Sequence, residues 1–216
     1  MIQKKIKEIR DSINKDIELV AVSKTKSKKE ILEAYNAGQK VFGENKIQEM
    51  TVKHEELPKD IKWHMVGHVQ SNKIKYMAPY VELVHGIDSL KSVKILNKEA
   101  KKNNRVIKCL LQLKISDEFT KFGLSKIEIE SILNSINILG LKNINVAGIM
   151  TIGSFTENMN VVIKEFEKSK KIFNELKITF PNLKILSMGM SNDYKIAIKH
   201  GSNMIRVGSL IFGKRI

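Results

Sequence analysis

The stretch Glu18-Leu19-Val20-Ala21-Val22-Ser23, followed by Lys24-Thr25-Lys26-Ser27, decides the fold. Its apolar run reads as a short buried strand. A doubly wound open sheet would place a Gly-x-Gly-x-x-Gly turn after this first strand to hold a nucleotide. The turn here contains no glycine, which favours a closed barrel. Lys24 stands where the strand leaves the core. Partial desolvation there disfavours the charged form and leaves an amine able to attack carbonyls. It is also one of 34 lysines, most of them solvated surface charges.

Further β-branched runs recur along the chain at Lys40–Gly43, Lys62–Gly67, Glu82–Gly86, Val106–Lys114, Asn145–Thr151, Leu183–Met188 and Asn203–Val207, so that eight strands are expected in all. Helical patterns lie between them at Lys28–Ala37, Leu90–Lys101, Lys126–Asn134, Val161–Thr179 and Asp193–Lys199, the first stopping at Gly38. An amphipathic helix over about residues 2–14 precedes the first strand. The alternation predicts an α/β fold, a (β/α)8 TIM barrel with an extra N-terminal helix, occupying 1–216 as one domain.

The formal charge of +15 raises the possibility of nucleic-acid binding. The excess is nearly all lysine, with four arginines, and Lys, Ile and Asn together make up 81 of 216 residues, a bias typical of A/T-rich codons. The lysines are spread along the chain without aromatic interleaving or any zinc, helix-turn-helix or RNA-binding signature, so a solvated surface is favoured and no nucleic-acid partner is expected. Apolar runs reach only about half the length of a membrane-spanning helix, and the N-terminus leads into charged helix. A cytoplasmic protein without a membrane partner is expected. The single cysteine, Cys109, lies in a strand-like run and reads as a packed, inert thiol.

In such a barrel the residues just after each strand converge on one face. Lys24 lies there, as do Phe42-Gly43-Glu44-Asn45, His64-Met65-Val66-Gly67-His68, Gly148-Ile149-Met150-Thr151, Ser187-Met188-Gly189-Met190-Ser191-Asn192-Asp193 and Arg206-Val207-Gly208-Ser209. Small residues in the last two segments leave backbone N–H groups open, which makes Ser191, Gly208 and Ser209 candidate phosphate contacts. Each taken singly is also an ordinary turn or cap residue. Arg206 stands out in a lysine-rich chain as a fixed, planar, always-charged donor, or as half of an ion pair at the barrel rim. His64 and His68, spaced i, i+4 on a strand, lie too far apart for easy co-ligation of a metal. His64 either faces a ligand or is a hydrogen-bonded core histidine.

These segments, in this order, resemble the pyridoxal 5'-phosphate homeostasis protein family, small relatives of the alanine racemase barrel. The likeness rests on Ala21-Val22-Ser23-Lys24-Thr25-Lys26, on Phe42-Gly43-Glu44-Asn45 with Gln48-Glu49, and on Trp63-His64-Met65-Val66-Gly67-His68-Val69-Gln70-Ser71-Asn72-Lys73. It continues through Gly148-Ile149-Met150-Thr151 and Leu186-Ser187-Met188-Gly189-Met190-Ser191-Asn192-Asp193 to Arg206-Val207-Gly208-Ser209-Leu210-Ile211-Phe212-Gly213.

The resemblance implies that Lys24 carries pyridoxal 5'-phosphate as a Schiff base, that Arg206 faces the pyridine nitrogen, that Ser191, Gly208 and Ser209 hold the phosphate, and that Asn45 lies beside the ring. Ser209 departs mildly from the threonine of many relatives, and Lys121-Phe122-Gly123 also resembles a family segment. The resemblance further implies a carrier and buffer in vitamin B6 homeostasis, with PLP-dependent apo-enzymes as candidate recipients of the cofactor; a monomer is expected. The alternative is a PLP-dependent amino-acid racemase, which needs acid/base groups on both faces of the substrate carbon and the exclusion of water. A chain of this length leaves no room for the second domain of a racemase, which favours the carrier.

Overall fold

The computed structural model describes residues 1–115 and 123–213. Lys121 and Phe122 of the Lys121-Phe122-Gly123 segment lie outside them. Eight strands, β1 (Glu18–Val22), β2 (Val41–Glu44), β3 (Lys62–Met65), β4 (Leu83–Ile87), β5 (Ile107–Leu113), β6 (Ile144–Thr151), β7 (Ile185–Ser187) and β8 (Met204–Val207), follow one another around a closed barrel. Every neighbouring pair is parallel, and β8 closes on β1 with Val20 level with Arg206.

The intervening helices are α2 (Lys28–Asn36), α3 (Ile47–Glu56), α4 (Ile74–Met77, entered through a 3₁₀ turn at Ser71–Lys73), α5 (Leu90–Lys102), α6 (Lys126–Ile138), α7 (Met159–Thr179) and α8 (Tyr194–Lys199), with α9 (Ser209–Phe212) after β8. The expected extra helix is α1 (Ile2–Asp11), which packs against α2 and α9 and is tied at its end by Arg10 donating to the Gln39 side chain at 2.9 Å.

Local sequence explains where these elements begin and stop. Ser27 and Ser125 each form a capping box with the glutamate three residues on, Glu30 and Glu128, which satisfies two otherwise unpaired N–H groups at the start of α2 and of α6. Gly38, at φ +88, turns the chain out of α2 as a left-handed stop. Three helices, α3, α4 and α9, were not legible as patterns. The inward stripe of α3 is Ile47, Met50 and Lys53, so a buried lysine interrupts its apolar periodicity. The helices α4 and α9 are single turns. Strand ends also shift: β7 is shorter than the expected Leu183–Met188, because the Leu183 N–H closes a turn onto Phe180 O.

Strand alternation sorts the side chains into two cores. Val20, Val41, Val66, Leu83, Leu110, Met150 and Met204 pack together inside the barrel. Leu19, Ala21, Phe42, Trp63, Leu111 and Ile205 belong to the larger cluster between barrel and helices. Cys109 is buried in that outer cluster, where burial pushes its thiol up to about 12, in keeping with an inert role. No helix among the described residues is long and apolar enough to cross a membrane.

Leu111 is fully buried, whereas Ile127 on α6 is 76% exposed. In urea unfolding, Leu111→Ala is expected to lose about 2–5 kcal/mol, while Ile127→Ala stays within about 0.5 kcal/mol of wild type. Equal losses at the two positions would contradict this division of the core.

Candidate functional site

Lys24 lies two residues past β1, in the turn at the barrel's C-terminal mouth, and follows the inward positions Val20 and Val22 at the same two-residue spacing. Lys24 is half-buried. The turn behind it is unusual. Thr25 has φ +66, a left-handed conformation that costs a β-branched residue about 1–3 kcal/mol. Its N–H donates to Glu49 Oε1 at 2.6 Å, and Lys26 N–H closes the turn onto Ser23 O at 3.0 Å.

Asn45 occupies the same inward register at the end of β2 and is also half-buried. The chain after β3 passes directly against it: a Cβ at Gly67 would stand 2.5 Å from Asn45 O, so only glycine lets the two backbones approach this closely.

Arg206 faces inward from β8 and is buried to 5% exposure. Its guanidinium donates to Ser187 Oγ at 2.7 Å and to Thr151 O at 2.8 Å, both neutral acceptors. Burial pulls its pKa down to about 10, with the Asp193 carboxylate acting against that shift, so it remains a cation at neutral pH. Beside it the Thr151 hydroxyl is buried without a hydrogen-bond partner among the described residues.

Two histidines extend this polar floor. Ser187 Oγ lies 3.4 Å from His85 Nδ1, and His85 Nε2 lies 3.1 Å from His64 Nδ1. Because Ser187 Oγ accepts from Arg206, its own O–H is available to His85, which then donates through Nε2 to His64. Burial, reinforced by Lys108 and Lys62, lowers His64 to about 3. Burial, with His64 and Arg206 adding to it, also holds His85 far below its ordinary value. Both rings are neutral at pH 7. His64 is thus a hydrogen-bonded interior histidine, and His68 is exposed and pairs with Asp88 at 3.2 Å.

On the neighbouring loops Ser191 Oγ accepts from the N–H groups of Gly208, at 3.3 Å, and Leu210, at 3.4 Å, joining the turns after β7 and β8. The β7 turn is fixed by Asp193, whose Oδ1 takes the Met190 N–H at 2.6 Å, and by Gly189 at φ +95. Gly208 lies against β1, where an added Cβ would come to 3.2 Å from Val22 O. Ser209 is exposed at the start of α9.

The structure therefore brings Lys24, Asn45, Arg206, Ser191 and Gly208 to one mouth, with Ser209 at its edge. It offers an amine at the rim, a guanidinium in the floor, and amide and hydroxyl donors on one side. Sequence reading placed Thr151 and Ser187 in the segments at the strand ends without giving either a role, and did not assign His85 to the site. The available signal was a polar side chain at an inward position of an apolar strand, as in Leu83-Val84-His85-Gly86.

Residues 1–215 match the family model described as alanine racemase, N-terminal domain. The pyridoxal phosphate homeostasis protein of Aquifex aeolicus is 38% identical over 202 residues, covering 91% of this chain and 86% of the relative. The chain belongs to the pyridoxal phosphate homeostasis protein family. The Haemophilus influenzae member is 37% identical, with 100% of this chain and 93% of that protein covered. PipY of Synechococcus elongatus, a relative of known structure, has a structure with PLP bound that superimposes with a TM-score of 0.91 at 31% identity, covering 99% of this chain and 100% of that one. In this member of the family the barrel is alanine-racemase-like with an N-terminal helix in front.

The buried histidines make stability fall with acid. Unfolded His64 takes up a proton near 6.5 that the folded form refuses until about 3, so stability is full above roughly pH 6.5 and drains away below it. Between about pH 7 and pH 5 this one residue accounts for about 2 kcal/mol. His64→Gln should shrink the acid-induced loss of urea-unfolding free energy by about that amount. An unchanged acid loss would mean that His64 titrates freely in the folded state.

Proposed function

We propose that this chain binds pyridoxal 5'-phosphate through Lys24 and acts as a cytoplasmic carrier and buffer of the cofactor, handing it to apo-enzymes that need it. The observation that carries this reading is the convergence of Lys24, Arg206 and the Ser191–Gly208 loop junction at a single barrel mouth. The donor set fits the group. Arg206 is a buried cation whose two hydrogen bonds go to neutral atoms, and Thr151 Oγ1 is a buried hydroxyl still able to bond. Both are groups whose burial is costly until a further polar partner arrives.

When bound, the cofactor supplies an aldehyde carbon that an amine attacks with loss of water. Lys24 supplies that amine from the rim. Ser191 Oγ and the N–H groups of Gly208 and Leu210, bonded to one another here, would hold the phosphate, with Ser209 adding a hydroxyl. Asn45 would lie beside the ring. Arg206, in the floor, would be the donor to the pyridine nitrogen. A guanidinium does not readily give up its proton, so it leaves that nitrogen unprotonated and weakens the ring as an electron sink. The His64–His85–Ser187 chain stays neutral behind it and holds Arg206 as a donor. These features favour keeping the cofactor over transforming amino acids with it.

Protein mixed with pyridoxal 5'-phosphate and reduced with borohydride is expected to carry the added mass on Lys24. Lys24→Ala should lose that label and retain weaker, phosphate-dependent binding. Absence of label in the wild type overturns the reading. Ser191→Ala removes one neutral acceptor and donor, and its affinity is expected to fall roughly 2–10-fold, read by absorbance titration. In heavy water, amino acids should exchange their α-hydrogen no faster with the loaded protein than with Lys24→Ala. Marked Lys24-dependent exchange would instead establish a racemase-type activity.

A further inference from the structure

Lys53 lies on the inward stripe of α3 with its side chain 8% exposed, among the most buried cations of the described residues. Its ammonium makes three contacts. It donates to Ser23 O at 2.8 Å, to Glu44 Oε1 at 2.8 Å and to Glu49 Oε1 at 2.7 Å. The same two carboxylate oxygens reach the residues on either side of Lys24: Glu44 Oε1 also accepts from Ser23 Oγ at 2.5 Å, and Glu49 Oε1 also accepts from Thr25 N–H at 2.6 Å. Ser23 and Thr25 are therefore both tied, by backbone or side chain, to a cluster centred on one ammonium.

The tie is specific to the turn. Ser23 points outward from the barrel, as Leu19 and Ala21 do before it, so the cluster lies outside the barrel wall. Lys24 points the other way. The left-handed backbone of Thr25 is disfavoured for a β-branched side chain and is sustained by its hydrogen bond to Glu49. Glu49 in turn sits on the same helix face as Lys53, one turn before it, and is held by that ion pair.

We infer that Lys53 is a positioning residue for Lys24: with Glu44 and Glu49 it clamps Ser23-Lys24-Thr25 from behind the barrel wall and fixes the direction in which the Lys24 amine enters the mouth. This inference rests on the function proposed above, because it concerns how Lys24 meets an aldehyde. It assigns Lys53 no contact with the cofactor. Removing the clamp should slow covalent capture without altering the phosphate and ring contacts made by the loops after β7 and β8.

Two ligands separate those effects. Pyridoxal 5'-phosphate reports capture, followed as borohydride-fixed mass on Lys24 against time. Pyridoxine 5'-phosphate, with an alcohol in place of the aldehyde, reports non-covalent binding by calorimetry. For Lys53→Met the capture rate is expected to fall tenfold or more, with the pyridoxine 5'-phosphate dissociation constant within twofold of wild type. Lys53→Arg should restore a substantial part of the rate. Should Lys53→Met not fold, Glu49→Gln serves in its place; this side chain is 24% exposed, and the variant is expected to slow capture at least threefold with the same unchanged analogue binding. Capture at the wild-type rate in these variants, or parallel loss of both ligands, overturns the inference while leaving a labelled wild type to support the proposed function. No label on wild-type Lys24 overturns both.

Discussion

A strand in a closed parallel barrel has only two directions for its side chains, in toward the other strands or out toward the helices, and this constraint governs the rest of the molecule. It divides the apolar residues into an inner plug and an outer layer. It also sets what the open mouth contains. Once Val20 and Val22 are packed inside, the next inward position is Lys24; once Met204 is inside, the next is Arg206, and then Gly208. The same two-residue step brings Asn45, His85 and Ser187 to the interior. The site is thus the upper continuation of the inner core, in which polar side chains replace valine and methionine where the barrel opens.

Two buried cations serve this arrangement in opposite ways. Lys53 sits behind the wall between two carboxylates, so its charge is compensated within the protein and the cluster acts as a fastener. Burial raises the pKa of Glu44, while Lys53 and the Ser23 hydroxyl favour its ionised form. Breaking such a pair from one side leaves a buried charge without its partner, which is far more disruptive than losing a surface ion pair. Arg206 has neutral oxygens as its hydrogen-bond partners, with Asp193 influencing it only through its charge. In the proposed function that charge is directed at what enters the mouth. Neutral histidines beneath it suit that role, because a second cation in the floor would compete for the same acceptor.

The strands were legible because each is a compact β-branched run bounded by helical periodicity, and the mouth was legible because barrel topology gathers strand ends whatever their separation in sequence. Lys24, Arg206 and the Ser191 and Gly208 turns could be picked out as chemistry-bearing residues at those ends. The helix α3 was hidden for the reason that makes it important: the lysine that interrupts its apolar stripe is the one that reaches Ser23 and Glu44. The outcome for His64 followed from a partner 21 positions away, His85, and the Ser187 contact spans 102 positions.

By itself the sequence determined the strand and helix types, the order of the elements and the residues available at each strand end, since periodicity and turn chemistry act over a few neighbouring residues. Tertiary structure alone decided which of those residues meet. The pairing of β8 with β1 sets Arg206 level with Val20, the packing of α3 against the barrel places Lys53 behind Lys24, and the strand stagger aligns two histidines with a serine. Each of these depends on register and on closure of the ring, which are properties of the whole barrel and leave no trace in any local stretch of the chain.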